Sequence, residues 1–439
     1  MSKYKISEYL IHTVPFIDKG DVQRVLYSTR TSSVKAISEY TWKLLNEEKF
    51  NLLPLEMVQE LFDVKILVPI DENELKSIIQ RNNQSIDKNG ELYYIIQPTA
   101  SCQLGCDYCG QVHSPQKLSD EHQEKIMNRL RSKLTNGNYT ALKIGWFGAE
   151  PLSGLSVIKK MSPKLMELAK EFDCSYSAKM PTNGLLLNVE TATLLFEECG
   201  FEAFEVTIDG TQAYHDNRRH TKSSKATFEK IFKNFLAVAS EAKLSQLRLN
   251  VRCNVDRSNV DGVSPLIKLL AENKLQNRIT FYVAPIHSWG NDAHLNSLSK
   301  LEFAEKELEW ICELLEHGFH INLIPPQQPI VCFAVRKDSE LVDPFGNLYN
   351  CSEASLVPNY GHEYMFGKLT GIDSTEKNNF LLNFNSEILQ GLYDCNKCEM
   401  LPVCGGSCPK EWKEGRVPCP SSKFNIKTKL LLHYSKQYL

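Results

Sequence analysis

Three cysteines within eight residues, Cys102, Cys106 and Cys109 of QPTASCQLGCDYCG, follow the spacing C-x3-C-x2-C. Thiolates this close in one loop can hold three corners of a metal-sulfur cube, and sulfur ligands without histidine select iron-sulfur clusters or zinc over hard cations. A closed zinc site needs four ligands, and no fourth cysteine is nearby; half a zinc site, or chance grouping, is the plain alternative. A three-cysteine [4Fe-4S] cluster instead leaves one iron open to a cofactor. A second set lies near the other end: Cys332, then Gly346 and Cys351, then Cys395-x2-Cys398-x5-Cys404-x3-Cys408, with Cys419 ten residues on. These seven nearly complete two cubane sites, and the turn-rich runs Asp343 to Asn347 and Cys404 to Pro409 bring backbone amides close to sulfide. Spacing alone also allows two structural zinc sites. Cys174, Cys199, Cys253 and Cys312 fall in element-like stretches and fit as small core residues.

The elements that must position these groups change character at Glu91. From there strands alternate with helices, the pattern of a parallel α/β sheet. Strands are predicted at Leu92 to Gln97, Leu142 to Phe147, Tyr176 to Met180, Ala203 to Ile208, Leu247 to Asn254 and Ile279 to Val283. Helices are predicted at Ser119 to Leu134, Ser156 to Phe172, Val189 to Cys199, Thr227 to Glu241, Val263 to Asn273 and Leu301 to Leu315. Six such units suit an open or partial barrel, whose chemistry sits at the C-terminal ends of the strands. The first cysteine loop begins where the first strand ends. Later strand ends carry Gly148-Ala149-Glu150-Pro151, Asn183-Gly184 and Asp209-Gly210. Small residues there let a ligand approach the backbone, and Glu150, Asn183 and Asp209 offer acceptors to amine and ribose groups. Plain βα turns use the same residues.

Ahead of Glu91, residues 1–90 contain no cysteine. Strands are expected at Tyr9 to Val14 and Val22 to Ser28, helices at Ala36 to Leu45 and Pro54 to Phe62, and a β-rich stretch at Val64 to Pro69. A further helix, Glu72 to Arg81, would be capped by Asp71, and Arg81 to Gly90 is expected to be a linker. After the barrel, Lys423 to Leu439 is expected to form an amphipathic helix packed on it.

Composition excludes several classes. The 439 residues carry a net charge of -3 with both signs mixed throughout, so nucleic acid is not an expected partner. No apolar run approaches a membrane span and the polar start lacks a signal-peptide core, so no membrane association and a cytoplasmic location are expected. Fourteen cysteines in a long chain of this kind point to metal rather than to disulfides.

With Tyr108 before its last cysteine, the loop resembles the signature of radical S-adenosylmethionine (SAM) enzymes. Gly148-Ala149-Glu150-Pro151 resembles that family's Gly-Gly-Glu-Pro motif, which holds the SAM amino group, with alanine in place of the second glycine; the change is mild if φ is negative there. Asp209 with His215-Asp216-Asn217-Arg218-Arg219 resembles the Asp-Gly and His-Asp-x-x-Arg run. That match implies Asp209 near the ribose and Arg219 near the SAM carboxylate, and Asn254 resembles a cofactor-proximal asparagine. The C-terminal cysteines resemble the SPASM extension of peptide-modifying members, which carries two auxiliary clusters. The resemblance implies Cys332, Cys351 and Cys408 on the first, with Asp338, another oxygen or an open iron completing it, and Cys395, Cys398, Cys404 and Cys419 on the second.

The implied fold is α/β: a small α+β N-terminal module (1–90), a partial (β/α)6 barrel (91–325) and a SPASM domain (326–439). The first part resembles in outline the winged-helix-like modules that grip a leader peptide; an extension packing on the barrel is the alternative. The implied cofactors are SAM and three [4Fe-4S] clusters. The implied partners are a precursor peptide and an external electron donor of flavodoxin or ferredoxin type. The expected function is a peptide maturase forming a carbon-carbon or carbon-sulfur crosslink, with no catalytic side chain identified. Anaerobic sulfatase maturation is second, because Cys351-Ser352-Glu353 lacks the aspartate such enzymes carry directly after that cysteine. A non-catalytic iron-sulfur or zinc scaffold is the alternative from another class.

Overall fold

The computed structural model describes residues 3–369 and 380–436. Its centre is a nine-stranded mixed sheet. Six strands, Glu91–Ile96, Ala141–Trp146, Ser175–Thr182, Phe201–Thr207, Arg248–Val255 and Ile279–Pro285, are parallel and lie side by side in chain order. Helices Asp120–Asn136, Leu155–Glu171, Val189–Cys199, Phe228–Ser240 and Val263–Glu272 make the crossovers, and Lys300–Glu316 follows the last strand. Alternation along each strand explains this layering. Leu142, Ile144 and Trp146 are fully buried in the main core with Ile126, Leu130 and Leu134, which recur every four residues on the first crossover helix. The intervening residues, among them Lys143, Lys179, Glu205 and Arg252, line the concave side.

The C-terminal part extends the same sheet. Glu340–Val342 pairs in parallel with Glu91–Ile96, and Asn347–Tyr349 and Met365–Lys368 follow antiparallel. Glu340, 1% exposed, is clamped by the first crossover helix: Arg129 donates Nε and Nη2 to its two oxygens, both at 2.8 Å, and Lys133 lies 3.1 Å away.

The N-terminal module places its strands first. Asp21–Ser28 pairs antiparallel with Leu10–His12, Phe16–Asp18 and Ser33–Ser38, and Tyr4–Ile6 pairs with Leu67–Pro69. It packs on the C-terminal cysteine-bearing part: Tyr9, Ile78 and Ile79 meet Phe384, Ile388 and Leu401, while Ile11, Val25 and Tyr27 meet Met400, Val403 and Leu430. Hydrogen bonds from Thr29 Oγ1 to the Glu399 carbonyl at 2.6 Å and from Tyr27 to the Pro325 carbonyl at 2.7 Å fix this contact.

Several boundaries differ from the sequence reading. Residues 36–38 belong to a strand, and the helix starts at Glu39 because Ser38 accepts from the Thr41 N–H as its cap. The next helix but one is Glu74–Asp87, capped by Asn73 rather than Asp71. It continues through most of the expected linker because Asn82 is buried and Ile86 packs on the neighbouring cluster, so tertiary contacts override a polar composition. The C-terminal helix is Ser422–Ser435, joined to the last crossover-type helix by Lys429–Glu307 at 2.8 Å; residues 437–439 lie outside the described residues. Among the described residues no helix is long and apolar enough to cross a membrane.

Candidate functional site

At the C-terminal ends of the parallel strands a cavity of about 210 Å³ opens, lined by Cys102, Cys106 and Cys109 together with Ala149, Asn183, Arg219 and Asn254. Each strand end contributes: the cysteine loop follows the first, Gly148 and Ala149 the second, Asn183 the third, and Asn254 belongs to the fifth. Burial pushes the Cys102 thiol up to about 12, helped by Glu150, and the Cys106 thiol up to about 11. Such thiols stay protonated at neutral pH until a metal displaces the proton.

Tyr108 organises the wall. Its hydroxyl donates to Asp209 Oδ2 at 2.6 Å and accepts from Arg219 Nη1 and from Asn254 Nδ2, the latter at 3.1 Å. Asp209 Oδ1 accepts the Asn254 N–H at 2.8 Å, and Asp209 is fully buried. Glu150 is likewise buried: it accepts from the Asn183 N–H at 2.7 Å, from Thr182 at 2.7 Å and from the Leu152 N–H at 3.0 Å, capping the short 3-10 turn that begins at Pro151. Burial raises its pKa against these donors. Asp209 and Glu150 therefore stand behind the cavity wall, where the sequence alone suggested acceptors on its surface.

The rest of the His-Asp-x-x-Arg run acts on the framework. His215 Nδ1 accepts the Asp209 N–H at 3.2 Å, and the Asp216 carboxylate accepts the N–H groups of Thr227 and Phe228, each at 2.8 Å. Arg218 pairs with Asp256 at 3.1 Å beneath the Tyr108 ring. Arg219, 6% exposed, keeps its Nε without a partner among the described residues beside the cavity, as a site for an anionic ligand would.

Gly148 and Ala149 both adopt positive φ, +84° and +48°. The alanine substitution is thus not at a negative φ. The Ala149 N–H is held by Gln111 Oε1 at 2.9 Å, and Gln111 in turn donates to the Ser355 carbonyl at 3.2 Å. Left-handed alanine costs about 1 kcal/mol relative to glycine, so Ala149→Gly is expected to raise the thermal unfolding midpoint slightly; a lowered midpoint would show that the alanine methyl packs usefully.

The C-terminal cysteines fall into two neighbourhoods. Cys351 lies near Cys408 and Cys332, and Cys395 near Cys404, Cys398 and Cys419. Burial pushes Cys395 up to about 12 and Cys404 up to about 11. Gly405, Gly406 and Ser407 follow one another at positive φ, which folds the loop between Cys404 and Cys408 tightly. Asp338 is engaged by a hydrogen bond with Tyr139, near Arg336. Among the described residues no three His, Cys, Asp or Glu side chains close round a single ion; the thiols of a cubane stand at the corners of a wider cube.

The cavity also carries residues that motifs did not single out: Glu205, His287 and Trp289, with Arg252 and Glu353. Glu353 lies 3.5 Å from His287 Nε2; burial raises its pKa, but His287, Arg252 and Lys410 outweigh that and hold it low. Only Arg252 and Glu353 adjoin residues with a sequence signal; the others come from loops and strand positions whose facing depends on the whole sheet.

No protein-family model matches the chain. The uncharacterised protein sll1766 of Synechocystis sp. is 24% identical over 362 residues, 73% of this chain and 85% of that one. The serine-type anaerobic sulfatase-maturating enzyme of Bacteroides thetaiotaomicron is 25% identical over 361 residues, 73% of this chain and 83% of that one. Among solved structures, native anSMEcpe with bound AdoMet shares the fold, at a TM-score of 0.58 and 18% identity over 79% of this chain and 97% of that one. The same protein with AdoMet and the Cp18Cys peptide gives a TM-score of 0.57. The resemblance drawn from the cysteine loop thus finds its counterpart in an α/β fold built on a large mixed sheet.

Proposed function

We propose that this chain is a radical SAM enzyme that modifies a peptide, built as a partial (β/α)6 barrel (91–325) between an N-terminal module (1–90) and a SPASM domain (326–439). One observation carries the reading: three thiols, the unpartnered Arg219 Nε, Asn183 and Asn254 line one cavity at the strand ends. The donor set fits the implied groups, with sulfur for iron and a buried guanidinium for a carboxylate. When bound, a [4Fe-4S] cluster with SAM supplies a 5'-deoxyadenosyl radical that takes hydrogen from carbon. Cys102, Cys106 and Cys109 would hold the cluster, and Arg219 and Asn254 would hold the nucleoside amino acid. Glu150 fixes the Asn183 backbone, and Tyr108 fixes Asp209, Arg219 and Asn254 relative to one another. Phe147 and Trp289 help keep water from the cavity. Cys332, Cys351 and Cys408, and Cys395, Cys398, Cys404 and Cys419, would hold two auxiliary clusters that carry away the electron left by bond formation. The strand-first module would grip a leader peptide, an external flavodoxin or ferredoxin-like donor would reduce the protein, and the setting is cytoplasmic.

The product of this reading is a crosslink between side chains. Sulfatase maturation is retained as a second reading because the curated relative bears that name and Glu353 reaches the cavity one residue beyond the expected base. One assay separates them. The iron-reconstituted protein, reductant and SAM are incubated with peptides encoded beside this chain's gene and with a sulfatase-motif peptide. Loss of a pair of hydrogens from a gene-neighbour peptide, without a hydrazide-reactive aldehyde, is the expected result. An aldehyde on the sulfatase peptide would decide for the second reading, and unchanged masses throughout would sink both.

A further inference from the structure

The concave side of the barrel is hollow below the cavity. A middle space of about 300 Å³ shares Phe147, Pro181 and Glu205 with the cavity above it, and shares Tyr93, Lys179 and Phe333 with a vestibule of about 490 Å³ below. Through these shared side chains the three adjoin in turn and mark out a line of passage from the thiols to the N-terminal ends of the strands, where Cys332 also lines the vestibule. Closed barrels of this kind fill their interior with bulky branched side chains; this one does not.

The passage is lined in rows set by strand register. Glu205 pairs with Pro181 and Asn250 in the row at the cavity floor, and Lys179 pairs with Gly145 and Ala203 in the row below. The vestibule carries four cations, Lys143, Lys179, Arg248 and Arg336, against two carboxylates, Glu91 and Glu202. Glu91 is taken by Lys143, and Glu202 by Arg248 at 2.7 Å. Lys179 has no carboxylate within ion-pair distance among the described residues; its ammonium lies 4.8 Å from the centre of the Tyr93 ring. It is solvent-accessible, yet burial lowers its pKa, with Lys143 and Arg248 adding to the effect and Glu202 and Glu205 opposing it. Both facts describe an ammonium that is open to solvent on one side and walled by the strands on the other.

We propose that the passage is the substrate channel and that Lys179 selects a peptide with an acidic side chain near the residue to be modified. The inference rests on the peptide-modifying reading above. Lys179 lies one row, about 7 Å, below the cavity floor, so the acidic residue sits at least two positions from the target in an extended peptide.

The test uses the iron-reconstituted full chain with SAM, immobilised and exposed to a randomised library of N-acetylated, C-amidated heptapeptides. Retained peptides are sequenced by mass. Aspartate and glutamate should be enriched about tenfold, the worth of one charge-assisted contact. Lys179→Gln should remove the enrichment, and Lys179→Arg should keep it. Absence of acidic enrichment with the unaltered chain, or the same enrichment with Lys179→Gln, would overturn the channel. Cleavage of SAM by the same unaltered preparation is read alongside. Cleavage without acidic enrichment refutes only the channel, whereas no cleavage refutes the reading of the site itself.

Discussion

Cys106→Ala is expected to abolish reductive SAM cleavage, leaving less than about one thousandth of the wild-type rate of 5'-deoxyadenosine formation. Cys106 is half-buried and lines the cavity with Cys102 and Cys109, in a loop fixed at both ends, with the Gly105 N–H on the His220 carbonyl at 2.9 Å and the Asp107 N–H on the Arg218 carbonyl at 3.3 Å. Those contacts involve backbone only, so the loop should keep its course when the sulfur is removed. Two remaining thiols cannot hold a three-cornered site, and Cys253 is fully buried in its strand. Iron bound after reconstitution should fall by about four atoms per chain, while the seven distant cysteines keep theirs. Wild-type deoxyadenosine from this variant would show that the cavity is not where cleavage occurs.

Arg129→Ala should lower stability by about 2–3 kcal/mol, because it takes the bidentate partner from the nearly fully buried Glu340 and leaves it Lys133 alone. The pair joins the first crossover helix to the strand through which the cysteine-rich part enters the nine-stranded sheet. Replacing both partners, as Arg129→Met with Glu340→Met, should restore most of the loss. Burial pushes the Glu340 carboxyl up, but hydrogen bonds and charges from Arg129 and Lys133 outweigh it and hold the folded value below the ordinary 4.5. A lowered carboxylate pKa contributes stability that is present above about pH 4.5 and is lost as pH falls through the folded value. The destabilisation by Arg129→Ala, measured by denaturant unfolding, should therefore be full at neutral pH and shrink in acid. A deficit independent of pH would assign the effect to packing of the arginine stem.

What the sequence made legible was local. Six strand-helix units were readable because period two and period 3.6 are properties of short windows, and all six strands lie within about two residues of their expected bounds. The first cysteine loop was readable because its three thiols are neighbours along the chain and line one cavity, whereas Cys408 follows Cys404 in sequence yet lies near Cys351 and Cys332, a grouping that spacing alone does not give. Layer and facing were not legible. Glu150 and Asp209 occupy motif positions but stand behind the wall, and Gln111, with no motif of its own, holds the Ala149 N–H. Lys179 looks like any strand lysine until residues of four other strands are set around the spaces that it lines. The N-terminal helix runs to Asp87 through a polar stretch because its partners belong to a domain nearly three hundred residues later. Such features depend on contacts that no window of sequence contains.

The central claim is a three-cluster enzyme that cleaves SAM at Cys102, Cys106 and Cys109. Anaerobic reconstitution with iron and sulfide, followed by an iron count and a 5'-deoxyadenosine assay with reductant and SAM, tests it most directly. About twelve irons per chain with deoxyadenosine formed is the predicted result; zinc in place of iron, or about four irons without SAM cleavage, would contradict it.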